Sequence, residues 1–298
     1  MRGNLTIIGA GRVGRALGRA LSERGWTIGA VVTRSQASAR RAVRFIGRGQ
    51  AHAGINRQAL ASRFILIATP DLAVAQIAEE LARIGAEEWK GKTVLHTSGA
   101  LASSILEPLR AYGAAVGSVH PLQTFSGVGV PPLEGRVFAI EGDAAALRFA
   151  RLMVRALGGQ VVQIPVAGKA AYHAAASMAA GQVLTLMEAA TNLMMSLGMK
   201  RREALRALLP LTRQVLDNFE RLGPRAAWTG PLARGDYAII ESHETALREF
   251  PAEYRNAYEQ LNRLAARVLA QNPEETISQL EESAREKNHK AKSMGRQA

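Results

Sequence analysis

Lys169 and His173 stand four residues apart in Lys-Ala-Ala-Tyr-His, so on a helix both side chains project from one face. An ammonium beside an imidazole can stabilise negative charge growing on an oxygen and then protonate it, as happens when hydride reaches a carbonyl. Taken alone, the pair reads more readily as a solvent-facing lysine and a satisfied core histidine. His120 precedes Pro121, which fixes the loop as the chain leaves a strand, and Gln123 and Thr124 follow with groups able to hydrogen-bond a carboxylate. His96, Thr97, Ser98 and Gly99 form a second strand end, where each is also an ordinary turn residue. Arg234 and Asp236 lie on a Gly/Pro-rich loop with His243 beyond them. That guanidinium can clamp a carboxylate bidentately, or Asp236 can cap the next helix and pair with Arg234. The histidines His96, His120, His173 and His243 make no H-x-x-x-H pattern or carboxylate cluster, so no metal is expected. No Gly-x-Ser-x-Gly elbow is present, which disfavours a serine hydrolase.

A third constellation lies near the start. Gly9-Ala10-Gly11-Arg12-Val13-Gly14 falls between an apolar run and a helical pattern, where a dinucleotide fingerprint belongs. Gly9 permits the tight turn, Gly11 lets the backbone approach a pyrophosphate, and Gly14 allows close helix–strand packing. At the end of the next strand, NAD enzymes usually present a carboxylate to the ribose, but this chain has Thr33-Arg34-Ser35. A guanidinium with two hydroxyls suits a 2′-phosphate, which a carboxylate would repel. Arg12 can add a second charge or stack on the adenine, and Ser35 can cap the following helix as well. Thr69 and Pro70 close another strand at the same sheet edge, and Asp71 reads as a helix start. NADP(H) is the expected cofactor.

These residues need elements to hold them. Leu5–Ile8, Thr27–Val32, Phe64–Ala68, Thr93–His96, Ala115–Val119, Val137–Glu141 and Gln160–Ile164 read as short apolar strands. Between them lie amphipathic helices, the first marked by Val13, Ala16, Leu17, Ala20 and Leu21. This alternation predicts an α/β fold: an N-terminal Rossmann domain with a mainly parallel sheet, over residues 1–166. After Pro165 the pattern turns wholly helical, predicting an all-α substrate and dimerisation domain over 167–298. Its helices are expected at Lys169–Leu197, Arg201–Arg221 (kinked by Pro210), Tyr237–Phe250, Ala252–Ala270 and Glu274–Glu286, with a frayed or disordered basic tail. The Lys169–Leu197 segment is too apolar for a one-sided surface helix, which points to a homodimer interface.

Composition narrows the classes further. With no cysteine among 298 residues, disulfides, thiolate catalysis and cysteine-bound zinc are excluded. No apolar run reaches the roughly 18 residues of a membrane span, and the glycines soon after Leu5–Ile8 argue against a signal peptide. No membrane partner is expected, and the cytoplasm is the expected compartment. The net charge of +13 can attract nucleic acid, but equally a phosphorylated cofactor or a small anionic substrate. Without aromatic interleaving or a nucleic-acid motif, the arginines read as a solvated surface, and no specific nucleic-acid partner is expected.

Several segments resemble one known family in order: Gly9–Gly14, Ala68–Asp71, His96–Leu101, Ser118–Phe125, Lys169–Met178 and Gly230–Asp236. Together they are similar to the Rossmann-like proteins that carry domain of unknown function 2520. Those proteins belong to the 6-phosphogluconate dehydrogenase-like, β-hydroxyacid dehydrogenase and ketopantoate reductase superfamily. The resemblance implies an NADP(H)-dependent oxidoreductase acting on a small carbonyl or hydroxy acid, with a ketopantoate-like 2-oxo acid as leading substrate. It leaves open an imine reductase of the pyrroline-carboxylate reductase type, or a silent NADP sensor. It implies that Lys169 and His173 face the nicotinamide, and similarity to prephenate dehydrogenase-like enzymes implies that His120 lines the substrate pocket. Thr97, Ser98 and Gly99 are then expected near the nicotinamide ribose. The chain departs from the family at Ala179-Ala180-Gly181, where relatives commonly carry Ala-Ser-Asn.

The Arg34 argument has a direct consequence. NADPH should bind far more tightly than NADH, and Arg34→Asp should reverse much of that preference in a fluorescence titration. Equal affinities in the parent protein would remove the 2′-phosphate argument.

Overall fold

The computed structural model describes residues 4–85 and 88–294. The chain divides into two compact units, Met1–Gln182 and Val183–Ala298. The first is an α/β unit and the second is helical throughout.

Eight strands build the first unit: β1 (Asn4–Ile8), β2 (Thr27–Thr33), β3 (Gln50–Ala53), β4 (Phe64–Ile67), β5 (Thr93–His96), β6 (Ala115–Pro121), β7 (Val137–Gly142) and β8 (Gln160–Gln163). They form one sheet in the order β3-β2-β1-β4-β5-β6-β7-β8. Every neighbouring pair is parallel except β6 and β7. The order reverses beside β1, so the carboxyl ends of β1 and β4 flank the crevice where such sheets bind ligands. The mainly parallel sheet expected from the sequence is the one observed. Only β3 escaped that reading: Gln-Ala-His-Ala has no β-branched or large apolar residue, and it lies at the edge, paired with β2 alone.

Helices cover both faces: α1 (Arg12–Glu23), α2 (Gln36–Ile46), α3 (Asp71–Ile84), α4 (Glu107–Arg110) and α5 (Ala144–Ala156). Alternation along β1 decides which residue goes where. Leu5 and Ile7 join Leu17 and Leu21 of α1 and Phe149 and Met153 of α5 in one core, while Ile8 joins Val74 and Leu81 of α3 in the other. Burying each such side chain contributes roughly 1.5–3 kcal/mol. Gly14 sets the approach of α1 to the sheet, because a Cβ there would stand 2.2 Å from the Gly9 carbonyl oxygen.

After β8 comes α6 (Lys169–Ser177), which ends in a wide π-type turn over Met178–Gln182. The sequence read as one unbroken helix from Lys169 to Leu197. The residue types of the turn are all compatible with an α-helix, so composition gives no sign of it. Gly181 sits in this turn, and a Cβ there would meet nothing within 4 Å.

The second unit contains α7 (Val183–Ser196), α8 (Arg201–Leu222), α9 (Pro224–Ala227), α10 (Pro231–Arg234), α11 (Tyr237–Ala246), α12 (Ala252–Leu269) and α13 (Pro273–Met294). Pro210 lies inside α8. The expected Gly/Pro-rich loop holds the short helices α9 and α10, each opened by a proline where its missing N–H costs nothing. Leu232, Ile240 and Ala266 form this unit's core, with Trp228, Tyr237 and Tyr258 against it. The helix α13 runs past Glu286, and residues 295–298 of the expected frayed tail lie outside the described residues. Among the described residues no helix is long and apolar enough to cross a membrane.

Phe149 of α5 is buried, stacked on Phe64 at 3.9 Å and tilted against Trp26 at 5.9 Å. Phe149→Ala should cost about 3–5 kcal/mol in urea denaturation. A loss below about 1 kcal/mol would mean that the stack collapses around the missing ring.

Candidate functional site

On one face of the sheet, three neighbouring strands carry a row of buried polar side chains. His96 of β5 is the register partner of Ser118 of β6, and Ser118 is the partner of Glu141 of β7. All three side chains are buried. Unpaired, such a row would be costly, so its hydrogen bonds matter. Glu141 accepts from the Ser103 N–H at 2.6 Å and the Ser103 hydroxyl at 2.7 Å. His96 Nδ1 accepts from the Ser98 N–H at 3.2 Å. Lys169, at the start of α6 and 2% exposed, donates from Nζ to the Ser98 carbonyl at 2.8 Å and the Ser118 hydroxyl at 3.0 Å. Its third N–H has no protein partner among the described residues. Burial lowers the Lys169 pKa, while Glu141 and then Asp71 oppose that shift. The solvent-facing lysine that the sequence also allowed is therefore not what this chain has.

Above this row the Ser98–Gly99 turn meets two imidazoles. The Ser98 hydroxyl accepts from the Ala100 and Leu101 N–H groups at 3.1 and 3.0 Å, which fixes the turn. The Thr97 N–H donates to the Ile67 carbonyl at 3.0 Å, tying the turn to β4. A Cβ on Gly99 would stand 2.6 Å from His173 Cδ2 and 2.8 Å from His120 Cε1 and Nε2, so only glycine fits. The two rings meet edge-on, with centroids 5.9 Å apart. His120 Nδ1 is 2.8 Å from the hydroxyl of Tyr172. Burial first, then the Lys169 and His173 charges, push His120 down to about 4, with Asp71 opposing. Burial, Lys169 and His120 push His96 to about 3. The structure thus brings together all three expected catalytic residues. It adds Tyr172, Ser118 and Glu141, which had been given no role; the register of β5, β6 and β7 joins the last two to His96.

At the other end of the crevice, Gly9 takes φ +85 and Gly11 caps α1 without a side chain. No side chain caps α1 and no acid sits in its first turn, while Arg12 and Arg34 stand exposed. Val13 packs against the core. Thr69 Oγ1 is buried with no hydrogen-bond partner among the described residues, and Pro70 caps α3 beside it. An open helix N-terminus, an unpaired buried hydroxyl and nearby cations fit a dinucleotide phosphate. Ser35 does cap α2, accepting from the Ser38 N–H at 3.3 Å, and the Thr33 hydroxyl donates to the Ser35 carbonyl at 2.8 Å. Arg34 has no partner among the described residues, so its guanidinium is free for a ligand.

Other expected residues are engaged locally. Gln123 donates to the Pro132 carbonyl at 3.0 Å and accepts from the Thr124 N–H at 2.8 Å, shaping the loop between β6 and β7. Thr124 is exposed on that loop. In the second unit Arg234 pairs with Asp236 at 2.9 Å, the plainer of the two arrangements read from the sequence, and His243 bonds Tyr258 at 2.8 Å. Among the described residues no group of three or more His, Asp or Glu is placed to hold a metal ion.

Residues 1–121 match the family model of a Rossmann-like domain, and residues 136–265 match that of a domain of unknown function, DUF2520. No protein of curated function matches the sequence. Among solved structures, the chain resembles a candidate NADP oxidoreductase from Bacteroides fragilis at 23% identity, covering 88% of this chain and 96% of that one, with a TM-score of 0.70. It is similar to a reductive aminase from Aspergillus terreus bound to NADPH and ethyl-5-oxohexanoate (22% identity, 90% and 94% covered, TM-score 0.66). A pyrroline-5-carboxylate reductase from Coxiella burnetii is similar too (18% identity, 88% and 98% covered, TM-score 0.58).

The lowered histidines fix an acid dependence. Between about 6.5, the ordinary value, and their folded values, the unfolded chain binds protons that the folded chain does not. Stability is therefore expected to fall as pH drops from about 6.5 towards 3 to 4. His96→Asn should flatten part of that slope in thermal melts against pH. Parallel parent and variant curves would contradict the burial of a neutral His96.

Proposed function

We propose that this chain, which belongs to the Rossmann-like/DUF2520 family, is an NADP(H)-dependent oxidoreductase acting on a small carbonyl or hydroxy acid. Bound at the crevice, the cofactor would supply hydride from its reduced nicotinamide. The Gly9–Gly14 turn and the first turn of α1 would hold its pyrophosphate. Arg34, with Ser35 and Arg12, would hold a 2′-phosphate, and Thr69 has a hydroxyl to give.

The observation that carries the reading is the buried Lys169 ammonium behind the Ser98–Gly99 turn, with His120 and His173 in front of it. A carbonyl oxygen gains negative charge as hydride reaches its carbon. A fixed cation in a site closed to water stabilises that charge far more than it stabilises a neutral substrate. An imine is reduced as its cationic iminium, which the same ammonium repels, so the electrostatics favour a carbonyl. His120 and His173 orient the carbonyl and deliver the proton. A ketopantoate-like 2-oxo acid fits the basic chain and remains the leading substrate.

The protein is also proposed to act as a homodimer. On α7 and α8, Leu184, Leu211, Leu216 and Phe219 are more than half exposed, an apolar surface that a second copy would cover.

NADPH oxidation across 2-oxo acids, aldehydes and cyclic imines tests the reading. Oxidation with a 2-oxo acid is expected, and activity on imines alone would transfer the assignment to imine reduction. On the substrate found, Lys169→Ala should lower kcat by about two to four orders of magnitude with little change in NADPH affinity. Near-parent turnover would leave Lys169 a structural role only.

A further inference from the structure

The ring of His120 is held at both ends. Nδ1 faces the Tyr172 hydroxyl at 2.8 Å, with the rings edge-on at 5.6 Å and 85°. Nε2 and Cε1 lie against the open face of Gly99, the side on which His173 also stands. One nitrogen is thus committed to Tyr172, and the other is turned towards the proposed reacting atoms. Which of them carries the hydrogen decides whether the ring can give a proton there or only take one.

We propose that Tyr172 is a positioning residue that holds His120 in the tautomer with its hydrogen on Nε2, aimed at the space in front of Gly99. Two features lead to this. Burial first, then Lys169 and His173, with Asp71 opposing, keep the ring uncharged to about pH 4, and His96 is the other titratable group that it touches electrostatically. At neutral pH it therefore carries one hydrogen. Burial also pushes the Tyr172 phenol up to about 12, so the phenol keeps its own hydrogen. A phenol is a better donor than acceptor and a bare imidazole nitrogen is a strong acceptor, so the pair settles as O–H···Nδ1. That leaves the ring hydrogen on Nε2.

The consequence rests on the proposed oxidoreductase reading. When hydride from the reduced dinucleotide has reached a carbonyl carbon, the oxygen takes the Nε2 proton. Nδ1 takes the phenolic proton as Nε2 gives up its own; water then returns a proton to Nε2, and Nδ1 hands the phenolic proton back to the half-buried Tyr172 oxygen, which restores the starting tautomer. The sum is one hydride and one proton added across the carbonyl.

The tautomer can be read without substrate or cofactor, by nitrogen NMR of the histidine-labelled full chain, with His120→Gln assigning the signals. Protonated Nε2 and bare Nδ1 are expected in the parent, and a mixture of tautomers in Tyr172→Phe, which keeps the ring. The same variant should lower turnover about tenfold or more on the substrate found, with NADPH affinity unchanged. A parent ring protonated on Nδ1, or a tautomer or turnover indifferent to Tyr172→Phe, overturns the proposal. Should the tautomer behave as expected while no carbonyl or imine is reduced, the oxidoreductase reading fails and the Tyr172–His120 pairing stands.

Discussion

Removing an ammonium from water costs several kcal/mol, and that cost organises the sheet edge around Lys169. A lysine at 2% exposure needs acceptors, and it finds them on two neighbouring strands: the Ser98 carbonyl just after β5 and the Ser118 hydroxyl in the middle of β6. Glu141, one strand further, contributes a compensating negative charge, and Ser103 holds that carboxylate at both oxygens. The conformation of the Ser98–Gly99 turn, the face that β6 presents and the place where α6 begins are therefore coupled. His120 inherits its electrostatics from the same charge. Its imidazole stays uncharged first because it is buried and then because the ammonium is already there.

The two ends of the crevice use different physics. At Gly9–Gly14, in the proposed reading, the backbone itself would be the binding surface, and its requirement is the absence of side chains. At Lys169 the requirement is a particular set of side chains brought together from distant segments. A turn without side chains leaves a mark in the sequence, because glycines at fixed spacing have few other causes. A side-chain cluster leaves almost none.

That difference explains what was legible beforehand. The strand–helix alternation and the glycine turn follow from local patterns, and the observed α/β unit follows that alternation, although the units divide after Gln182, so α6 belongs to the α/β unit and not to the helical one. The sequence singled out His96, His120, Lys169 and His173 by residue type and resemblance. Ser118, Glu141 and Tyr172 went without a role, since a serine in a strand, an acid at a strand end and a tyrosine in a helix are ordinary locally. Their role comes from strand register and from the end of α6, which no single-segment pattern encodes. The short strand β3 and the π-type turn at Met178–Gln182 were missed for a similar reason: neither has a compositional signature.

The row His96–Ser118–Glu141 also bears on how this sequence can vary. The three positions are 22 to 45 residues apart along the chain yet adjacent across the sheet. All three act on one group, since Ser118 accepts from Lys169 while Glu141 and His96 interact with its charge, so substitutions among them should be strongly non-additive. An apolar residue at 141 would remove a counter-charge that Lys169 uses, and would be tolerated best where 169 had already lost its ammonium. These positions are therefore constrained to drift as a group. Within a family of related chains, a change at one of them would serve as a marker for compensating changes at the others.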